Sequence, residues 1–243
     1  MIRSARKGTV TLLRIDRQPQ RNALDTEHCE RLREAIDAAV DAGARCLVVT
    51  GEGSAFCSGA DLNGVYSEEF RVALYRLLRR LTEVPVPMVA AVNGPAIGAG
   101  TQLAIACDLR VCASGAIFGI PTAKLGLAVD PWTIRRLSLL AGGGAARRML
   151  LACETLGPEQ VPGLVDRHGD LGTALEWAGE IAELAPLTLA YNKLAANTLL
   201  EPRLDPETEA TLGKGFDACW ASEDFAEARR ARAEKRAPRF KGR

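Results

Sequence analysis

The stretch 94–108 constrains the fold of this chain more than any other feature. It follows Met88–Val92, a run of five apolar residues that predicts a short buried strand. Glycines at 98 and 100 then let the chain turn sharply into a helix whose first N–H groups have no partner within that helix. Such N–H groups can receive developing negative charge. The segment therefore predicts a strand, a tight turn and a helix that begins at an anion-binding site.

An amide side chain follows on this predicted helix. Gln102 lies three residues after Ala99, and residues with that spacing share one face of a helix. A glutamine can hold a water molecule, but it cannot take a proton from it. The sequence thus predicts a binding site at the helix start with an amide side chain on the same face.

Strand and helix patterns alternate through most of the chain. Asp25 or Thr26 can cap the first helix and Ser67 the second, and Pro186 and Pro206 fit first-turn positions of later helices. We predict a mixed α/β core over residues 1–190 and a helical region over 191–243. Within the core the expected strands are 10–15, 46–50, 88–92, 109–112 and 116–119, and the expected helices are about 26–42, 68–83, 132–140 and 145–151. Beyond Pro158 the pattern is almost wholly helical, with His168 in a polar loop.

Composition excludes several classes of protein. With 243 residues, 47% of them hydrophobic, the chain can bury a large core, and a net charge of +1 gives no argument for nucleic-acid binding. No apolar run approaches the roughly 18 residues of a membrane span, and the amino terminus lacks a signal-peptide core, so we expect a cytoplasmic protein. Seven cysteines without metal-ligand spacing, among them Cys46, Cys107 and Cys153 in apolar surroundings, indicate buried free thiols.

Generic catalytic and nucleotide motifs are weak or missing. Residues 51–56 half-match a dinucleotide fingerprint, but Phe56 stands where the third glycine belongs. Neither a phosphate-binding loop nor a Gly-x-Ser-x-Gly elbow occurs. The two histidines, His28 and His168, have no neighbours that indicate zinc or a serine triad.

Several motifs, in this order and spacing, resemble the crotonase (enoyl-CoA hydratase/isomerase) family. They are Arg21-Asn-Ala-Leu24, Phe56-Cys-Ser-Gly-Ala-Asp-Leu62, the stretch 94–108, Phe118-Gly-Ile-Pro121, Lys124-Leu-Gly126 and Glu234-Lys-Arg-Ala-Pro-Arg-Phe240. The resemblance implies an α/β fold of the ClpP/crotonase type, a spiral of ββα units with a carboxy-terminal helical region for trimerisation. It also implies homotrimers or homohexamers, a coenzyme A thioester as ligand, and no other cofactor or metal.

The resemblance also assigns site residues. In this family the thioester oxygen lies between two backbone N–H groups, which fall here on Ala60 and Ala99. The other expected substrate contacts are Arg21, Ala23, Ser58, Asp61, Leu62, Trp132, Lys235 and Phe240, with Trp132 in the acyl pocket and the last two at the nucleotide end. Arg21 is equally compatible with a solvated surface charge, and the tail with a solvated helix end. Asp61 can also cap its own loop.

Departures from the family pattern decide the predicted function. Gln102 and Thr122 occupy the positions of the two glutamates that activate water in the hydratases. Asp130 aligns with a carboxylate that some relatives use, but it is equally a helix cap before Pro131. We predict a binder of fatty acyl-CoA with poor or no hydratase activity. It resembles mycobacterial members that lack both glutamates and are thought to hold acyl-CoA for lipid-synthesis enzymes.

Three alternatives remain open at this point. The chain could be an isomerase or another acyl-CoA enzyme that uses Asp130. It could be an ordinary hydratase that has recruited other residues in place of the two glutamates. It could also be a scaffold that keeps the fold only for assembly. Acyl-CoA titration separates scaffold from binder, and a turnover assay separates binder from enzyme.

Overall fold

The computed structural model describes residues 1–62, 64–200 and 204–242. These residues form eight strands: β1 Ile2–Lys7, β2 Val10–Ile15, β3 Cys46–Gly51, β4 Met88–Val92, β5 Pro95–Ile97, β6 Leu109–Cys112, β7 Ile117–Gly119 and β8 Arg167–His168. They also form nine α-helices: α1 Thr26–Asp41, α2 Glu68–Glu83, α3 Ala99–Ala106, α4 Pro131–Ala141, α5 Gly143–Leu151, α6 Leu171–Ala182, α7 Pro186–Leu200, α8 Pro206–Trp220 and α9 Glu223–Ala233.

The main sheet has six strands in the order β1-β2-β3-β4-β6-β8. Only β1 is antiparallel to its neighbour; the other pairs are parallel. Alternate residues of these strands face two separate cores. Val48 and Val89 pack with α6 on one face, while Val49 and Ala90 join the larger core with α1 and α2. A parallel sheet that is buried on both faces explains why its strands read as continuous apolar runs.

A smaller sheet lies beside the main one. It pairs β5 with β7, and an isolated bridge from Cys57 to Ala96 extends it. Two strands followed by a helix therefore recur along the chain, with the first strand in the main sheet and the second at or near the small one. This is the expected α/β spiral of ββα units. It places the start of α3 beside the loop that contains Cys57.

Most predicted elements are confirmed, and three strands were missed. Asp25 and Ser67 cap α1 and α2, and Pro186 and Pro206 open α7 and α8. The assignment of His168 to a loop was wrong, because β8 adds two residues to the edge of the sheet next to β6. β1 and β5 were also missed, since β1 is largely exposed and β5 begins with a proline.

The carboxy-terminal helices dock on the core. Buried Lys193 of α7 forms an ion pair of 2.8 Å with Asp108 and donates to the carbonyl oxygens of Leu81 and Val86. α7 runs across residue 190, and the division into 1–190 and 191–243 stays a prediction. Among the described residues, no helix combines the length and the hydrophobicity needed to span a bilayer. All seven cysteines are free, and six, including Cys46, Cys107 and Cys153, are buried.

Candidate functional site

Two loops meet at the start of α3 and hold each other through backbone hydrogen bonds. The Cys57 N–H donates to the Pro95 carbonyl at 3.1 Å, and the Ile97 N–H donates to the Cys57 carbonyl at 3.0 Å. A Cβ at Gly100 would lie 2.0 Å from that same carbonyl oxygen, so only glycine allows this approach. Gly98, with φ at +54°, makes the turn into the helix. The two loops are therefore locked together by backbone, with no room for side chains between them.

The N–H groups of Ala60 and Ala99 project from these loops. On either side of Ala60, the Leu24 N–H donates to the Gly59 carbonyl and the Asp61 N–H donates to the Leu24 carbonyl. The Ala60 N–H takes no part in these backbone hydrogen bonds. Ala99 is the first residue of α3, where helical N–H groups have no partner. Neither amide donates to an acceptor among the described residues. Two free donors of this kind can bind a carbonyl oxygen and stabilise negative charge on it.

A cavity of about 260 Å³ opens next to these amides. Besides Ala60 and Ala99, its lining includes Gln102, Thr122, Ser58 and Leu62. The structure thus brings together both predicted oxyanion donors and both positions at which the sequence analysis predicts the replacement of a glutamate. No carboxylate is found among the described residues of the lining. Cys57 lies just behind it, but burial raises the pKa of its thiol to about 12, so it is not a nucleophile at neutral pH.

Gln102 is buried and tied to α4. Its Nε2 donates to Thr133 Oγ1 at 2.9 Å, and Thr133 Oγ1 donates to Asp130 Oδ1 at 2.5 Å. Asp130 Oδ2 also accepts the Thr133 N–H at 3.3 Å, so Asp130 is the cap of α4, as one of the two sequence interpretations had it. These bonds form a continuous polar chain from the cavity wall into the protein.

Asp130 stands behind the cavity and does not belong to its described lining. Burial raises the pKa of its carboxyl group, and the hydrogen bonds from Thr133 oppose that rise. Tyr75, which lines the cavity, lies near the Asp130 carboxyl group. Burial, followed by the nearby Asp130 charge, raises the pKa of Tyr75 well above its ordinary range. Tyr75 is therefore a neutral phenol at neutral pH, and it lines the cavity where Asp130 does not.

Trp132, which the sequence analysis predicts in the acyl pocket, does not belong to the described lining of this cavity. Its ring lines a separate and larger groove between α4, α6 and α7, where the Arg136 guanidinium lies 5.6 Å from the ring centroid. Successive residues of a helix point about 100° apart, so when Thr133 faces Gln102 its neighbour Trp132 faces elsewhere. The cap at Asp130 fixes this rotation of α4.

Trp220, at the end of α8, lines the cavity together with two aromatic residues of α2, Phe70 and Tyr75. Its Nε1 donates to the Ala128 carbonyl at 3.2 Å. Arg71, which also lines the cavity, places its guanidinium 5.4 Å from the Trp220 ring centroid. Sequence analysis missed Arg71, Tyr75 and Trp220. The i, i+4 spacing of Arg71 and Tyr75 places both side chains on one face of α2, and this was the available signal. Trp220 lies far from the other lining residues in the sequence and gave no such signal.

Four further predicted contacts lie on or next to the loop that contains Cys57: Arg21, Ala23, Ser58 and Asp61. The Arg21 carbonyl accepts the Ser58 N–H at 3.0 Å, and the Arg21 side chain is exposed, with φ at +51°. Ala23 is buried outside the cavity lining, and its carbonyl accepts from Arg17. Asp61 Oδ2 accepts from the same guanidinium at 2.7 Å, which holds the Ala60–Asp61 turn in place. Asp61 therefore supports the loop through Arg17.

The tail lies along α9, away from the described cavity lining. Lys235 and Phe240 are exposed, the latter by 43%. Glu227 of α9 holds the tail by accepting from the Arg236 side chain and from the Arg239 N–H at 3.0 Å. These bonds, led by that from Arg236, hold the pKa of Glu227 well below its usual range. Because α9 packs on the turn that follows Thr122, the tail is linked to the cavity through one helix.

Comparisons with known proteins agree with this geometry. Residues 5–243 match the family model described as enoyl-CoA hydratase/isomerase. Over 245 residues that cover all of both chains, the sequence is 44% identical to probable enoyl-CoA hydratase echA6 of Mycobacterium tuberculosis. A carnitinyl-CoA dehydratase structure from Mycobacterium avium is 31% identical with a TM-score of 0.82, covering 100% of this chain and 99% of that one.

A fold match at lower identity extends the comparison. Methylmalonyl CoA decarboxylase, solved with 2S-carboxypropyl CoA, superimposes with a TM-score of 0.91 at 21% identity. The match covers 100% of this chain and 98% of that one, and it concerns the fold alone. The family model, the 44% identity over the full length and the paired loops agree, and the chain belongs to the enoyl-CoA hydratase/isomerase family.

Proposed function

We propose that this protein binds fatty acyl-CoA thioesters and hydrates enoyl-CoA slowly or not at all. One observation carries the proposal: the cavity holds two free backbone donors, and among its described lining residues none bears a carboxylate. The thioester oxygen would accept from the N–H groups of Ala60 and Ala99, as a carbonyl accepts in an oxyanion hole. The acyl chain would lie against the apolar lining, which includes Leu62, Leu74 and Val129.

Loss of the two carboxylates removes the chemistry while leaving the binding site. Each positioned acid or base is worth about 10²–10⁴ in rate. Gln102 and Thr122 can hydrogen-bond a water molecule, but neither can take its proton at neutral pH. The free amides would still polarise the thioester, so slow residual turnover is compatible with the proposal.

Relatives support the choice of ligand. Those of similar length are named as hydratases of CoA thioesters, including a 2,3-dehydroadipyl-CoA hydratase of Escherichia coli with 34% identity. The methylmalonyl CoA decarboxylase with the same fold was solved with a CoA ligand. We extend the CoA ligand to this chain, with Arg21, Lys235 and Phe240 at the nucleotide end.

Catalysis by Asp130 has less support from the geometry. Its oxygens accept from the Thr133 hydroxyl and backbone N–H, and the carboxyl group does not belong to the described cavity lining. A general base must reach the substrate proton directly or through one water. Asp130 lies outside the described cavity lining and does not meet that condition without a rearrangement.

Two measurements on one preparation test the proposal. Saturated long-chain acyl-CoA should raise the melting temperature through linkage, while crotonyl-CoA is hydrated far below the roughly 10 per second of a typical enzyme. Normal hydration rates would refute the loss of chemistry. Absence of any acyl-CoA effect would leave a scaffold as the better description.

We further propose that the protein assembles as a homotrimer or homohexamer through its helical region. α7 exposes Leu187 by 86%, Leu194 by 67% and Leu199 by 80%, next to the groove that Trp132 lines. Leucines this exposed on one helix indicate a surface that a partner covers. Light scattering should give three or six times the chain mass of 26.0 kDa.

A further inference from the structure

Arg71 is the one charged residue in the described lining of the cavity. It lies on α2, one helical turn before Tyr75, and the other described lining residues are apolar or neutral. The Arg71 side chain is only 23% exposed. A guanidinium stays protonated in proteins, so it brings its charge into this wall. The cavity that contains the free amides of Ala60 and Ala99 therefore also contains a positive charge.

Two aromatic rings of α8 hold the guanidinium in place. Its central carbon lies 5.2 Å from the ring centroid of Phe216 and 5.4 Å from that of Trp220. Trp220 is itself anchored, because its Nε1 donates to the Ala128 carbonyl at 3.2 Å. Aromatic faces attract a cation without accepting its N–H groups as a carboxylate does. The guanidinium is thus held in position while its hydrogen-bond donors remain available.

The Arg71 guanidinium has no strong anionic partner in the described part of the chain. Its ion pair is with Glu68, whose Oε1 lies 3.7 Å from Nη2, longer than a hydrogen bond. The Glu68 side chain is 81% exposed, so water and salt screen this contact. A largely buried cation is stabilised far more by a carboxylate that accepts its N–H groups directly. The cavity wall is therefore suited to an anionic group of a ligand.

We infer that Arg71 binds a carboxylate at the far end of the acyl chain, so that the protein prefers dicarboxylic acyl-CoA thioesters over monocarboxylic ones of equal chain length. The inference rests on the proposed acyl-CoA binding and names the class of acyl group. The two amides and Arg71 line one cavity, so the thioester oxygen and the terminal carboxylate can be bound at the same time. Arginine binds a carboxylate through two parallel hydrogen bonds, which a methyl end cannot accept.

The phosphates of coenzyme A are the other anions in such a ligand. They are common to every acyl-CoA, so an Arg71 that bound them would raise the affinity for both members of a matched pair equally. A difference in affinity between the two members reports only on the acyl group. Matched pairs therefore separate the two possible sources of the anion.

Paired titrations test the inference. Calorimetry gives the dissociation constants of glutaryl-, adipyl- and suberyl-CoA beside those of pentanoyl-, hexanoyl- and octanoyl-CoA. In at least one pair the unmodified protein should bind the dicarboxylic member about 10-fold more tightly, as expected for hydrogen bonds between charged groups. The terminal amide of that dicarboxylic ligand keeps its shape without the charge, and it should lose this advantage.

Variants of α2 link the preference to Arg71. Arg71→Met keeps an unbranched side chain that packs on aromatic rings, and it should abolish or reverse the preference, because an unpaired carboxylate is costly in an apolar cavity. Arg71→Lys keeps the charge without the planar fork and should retain only part of the preference. Arg76→Met removes an exposed arginine of the same helix, outside the described lining, and should leave the affinity ratio unchanged.

The outcomes distinguish this inference from the proposed function. Binding of the monocarboxylic ligands without a preference in any pair would overturn the inference and leave acyl-CoA binding intact. A preference that persisted in Arg71→Met, or with the terminal amide, would also overturn it. An equal loss for both members of a pair in Arg71→Met would assign Arg71 to the phosphates instead. If Arg71→Met fails to fold, the amide comparison on the unmodified protein decides. Failure of every ligand to bind would refute the proposed function.

Discussion

The two walls of the cavity differ in what they are made of. One wall is backbone: the N–H groups of Ala60 and Ala99, held by the interlocked loops around Cys57 and Gly100. The other wall is side chain: Gln102 and Thr122, where the sequence analysis predicts that family glutamates are replaced. Backbone donors do not change when a side chain is substituted, whereas a carboxylate is lost in one step. Binding and acid–base chemistry can therefore separate within one fold.

The backbone wall should be the harder one to alter. Gly100→Ala places a Cβ 2.0 Å from the Cys57 carbonyl oxygen, which neither α3 nor the facing loop can absorb without moving. We expect the free energy of unfolding to fall by about 3 kcal/mol. Folded protein should lose about 10-fold in acyl-CoA affinity as the amides shift. Chemical denaturation and calorimetry measure the two effects.

Gly144→Ala is the matched control. Gly144 is an exposed glycine of α5, and a Cβ there would meet no atom within 4 Å. Alanine should stabilise that helix by about 0.5–1 kcal/mol and leave ligand affinity unchanged. Equal behaviour of the two variants would mean that the close approach at Gly100 does not hold the site.

In the side-chain wall, glutamates introduced at positions 102 and 122 should restore hydratase activity in part. Gln102→Glu with Thr122→Glu returns two carboxylates to one cavity, and hydration of crotonyl-CoA should rise about 10-fold or more over the parent. The single changes should do less, because acid and base act as a unit. A folded double variant that binds enoyl-CoA without any gain would remove Gln102 and Thr122 from these positions.

Asp130 should limit that gain. A glutamate at position 102 would compete with Asp130 for the single proton of Thr133, and two carboxylates that share one proton raise the pKa of one of them. Adding Asp130→Asn should therefore increase hydration by about a further 10-fold. No further increase would mean that Thr133 does not connect the two groups.

The fold was predictable where local sequence decides it. Apolar runs bounded by prolines and asparagine gave β4, and capping residues such as Ser67 gave the start of α2. The strand β8 has two exposed residues without any pattern, and it exists because β6 offers an open edge. Tertiary pairing of this kind leaves no local signal in the sequence.

The site was predictable in its backbone and less so in its side chains. Glycines at 98 and 100 indicated the turn and the helix start, and the structure places Ala60, Ala99, Gln102 and Thr122 around one cavity. The rotation of α4 about its axis turns Thr133, and not Trp132, towards Gln102. A helix that began one residue earlier or later would turn a different residue to that side. Trp220 reaches the cavity only because α8 folds back onto it.

Asp130 itself can be tested against its role as a cap. Asp130→Asn keeps an oxygen for the Thr133 N–H, so stability at neutral pH should change by about 1 kcal/mol or less. Because the folded-state pKa is raised above 3.8, the wild-type carboxyl group stabilises the fold most below that value and loses this contribution as pH rises through the raised pKa. The variant should therefore gain relative to wild type from about pH 4 upwards. A difference that is constant with pH would show that burial does not perturb this group.

The smallest effect is expected at Lys235, in the tail and outside both walls. Lys235 is exposed beyond the end of α9, and Lys235→Glu should weaken CoA binding about 3-fold or less at low salt, and less at high salt, since exposed charges interact weakly and are screened. Acyl-pantetheine has no nucleotide, so its affinity should not change. Arg232→Glu, an exposed change of the same sign within α9, controls for net charge. If both ligands weakened equally, the tail would act on the cavity through α9 and the turn after Thr122, and the nucleotide contact at Lys235 would be wrong.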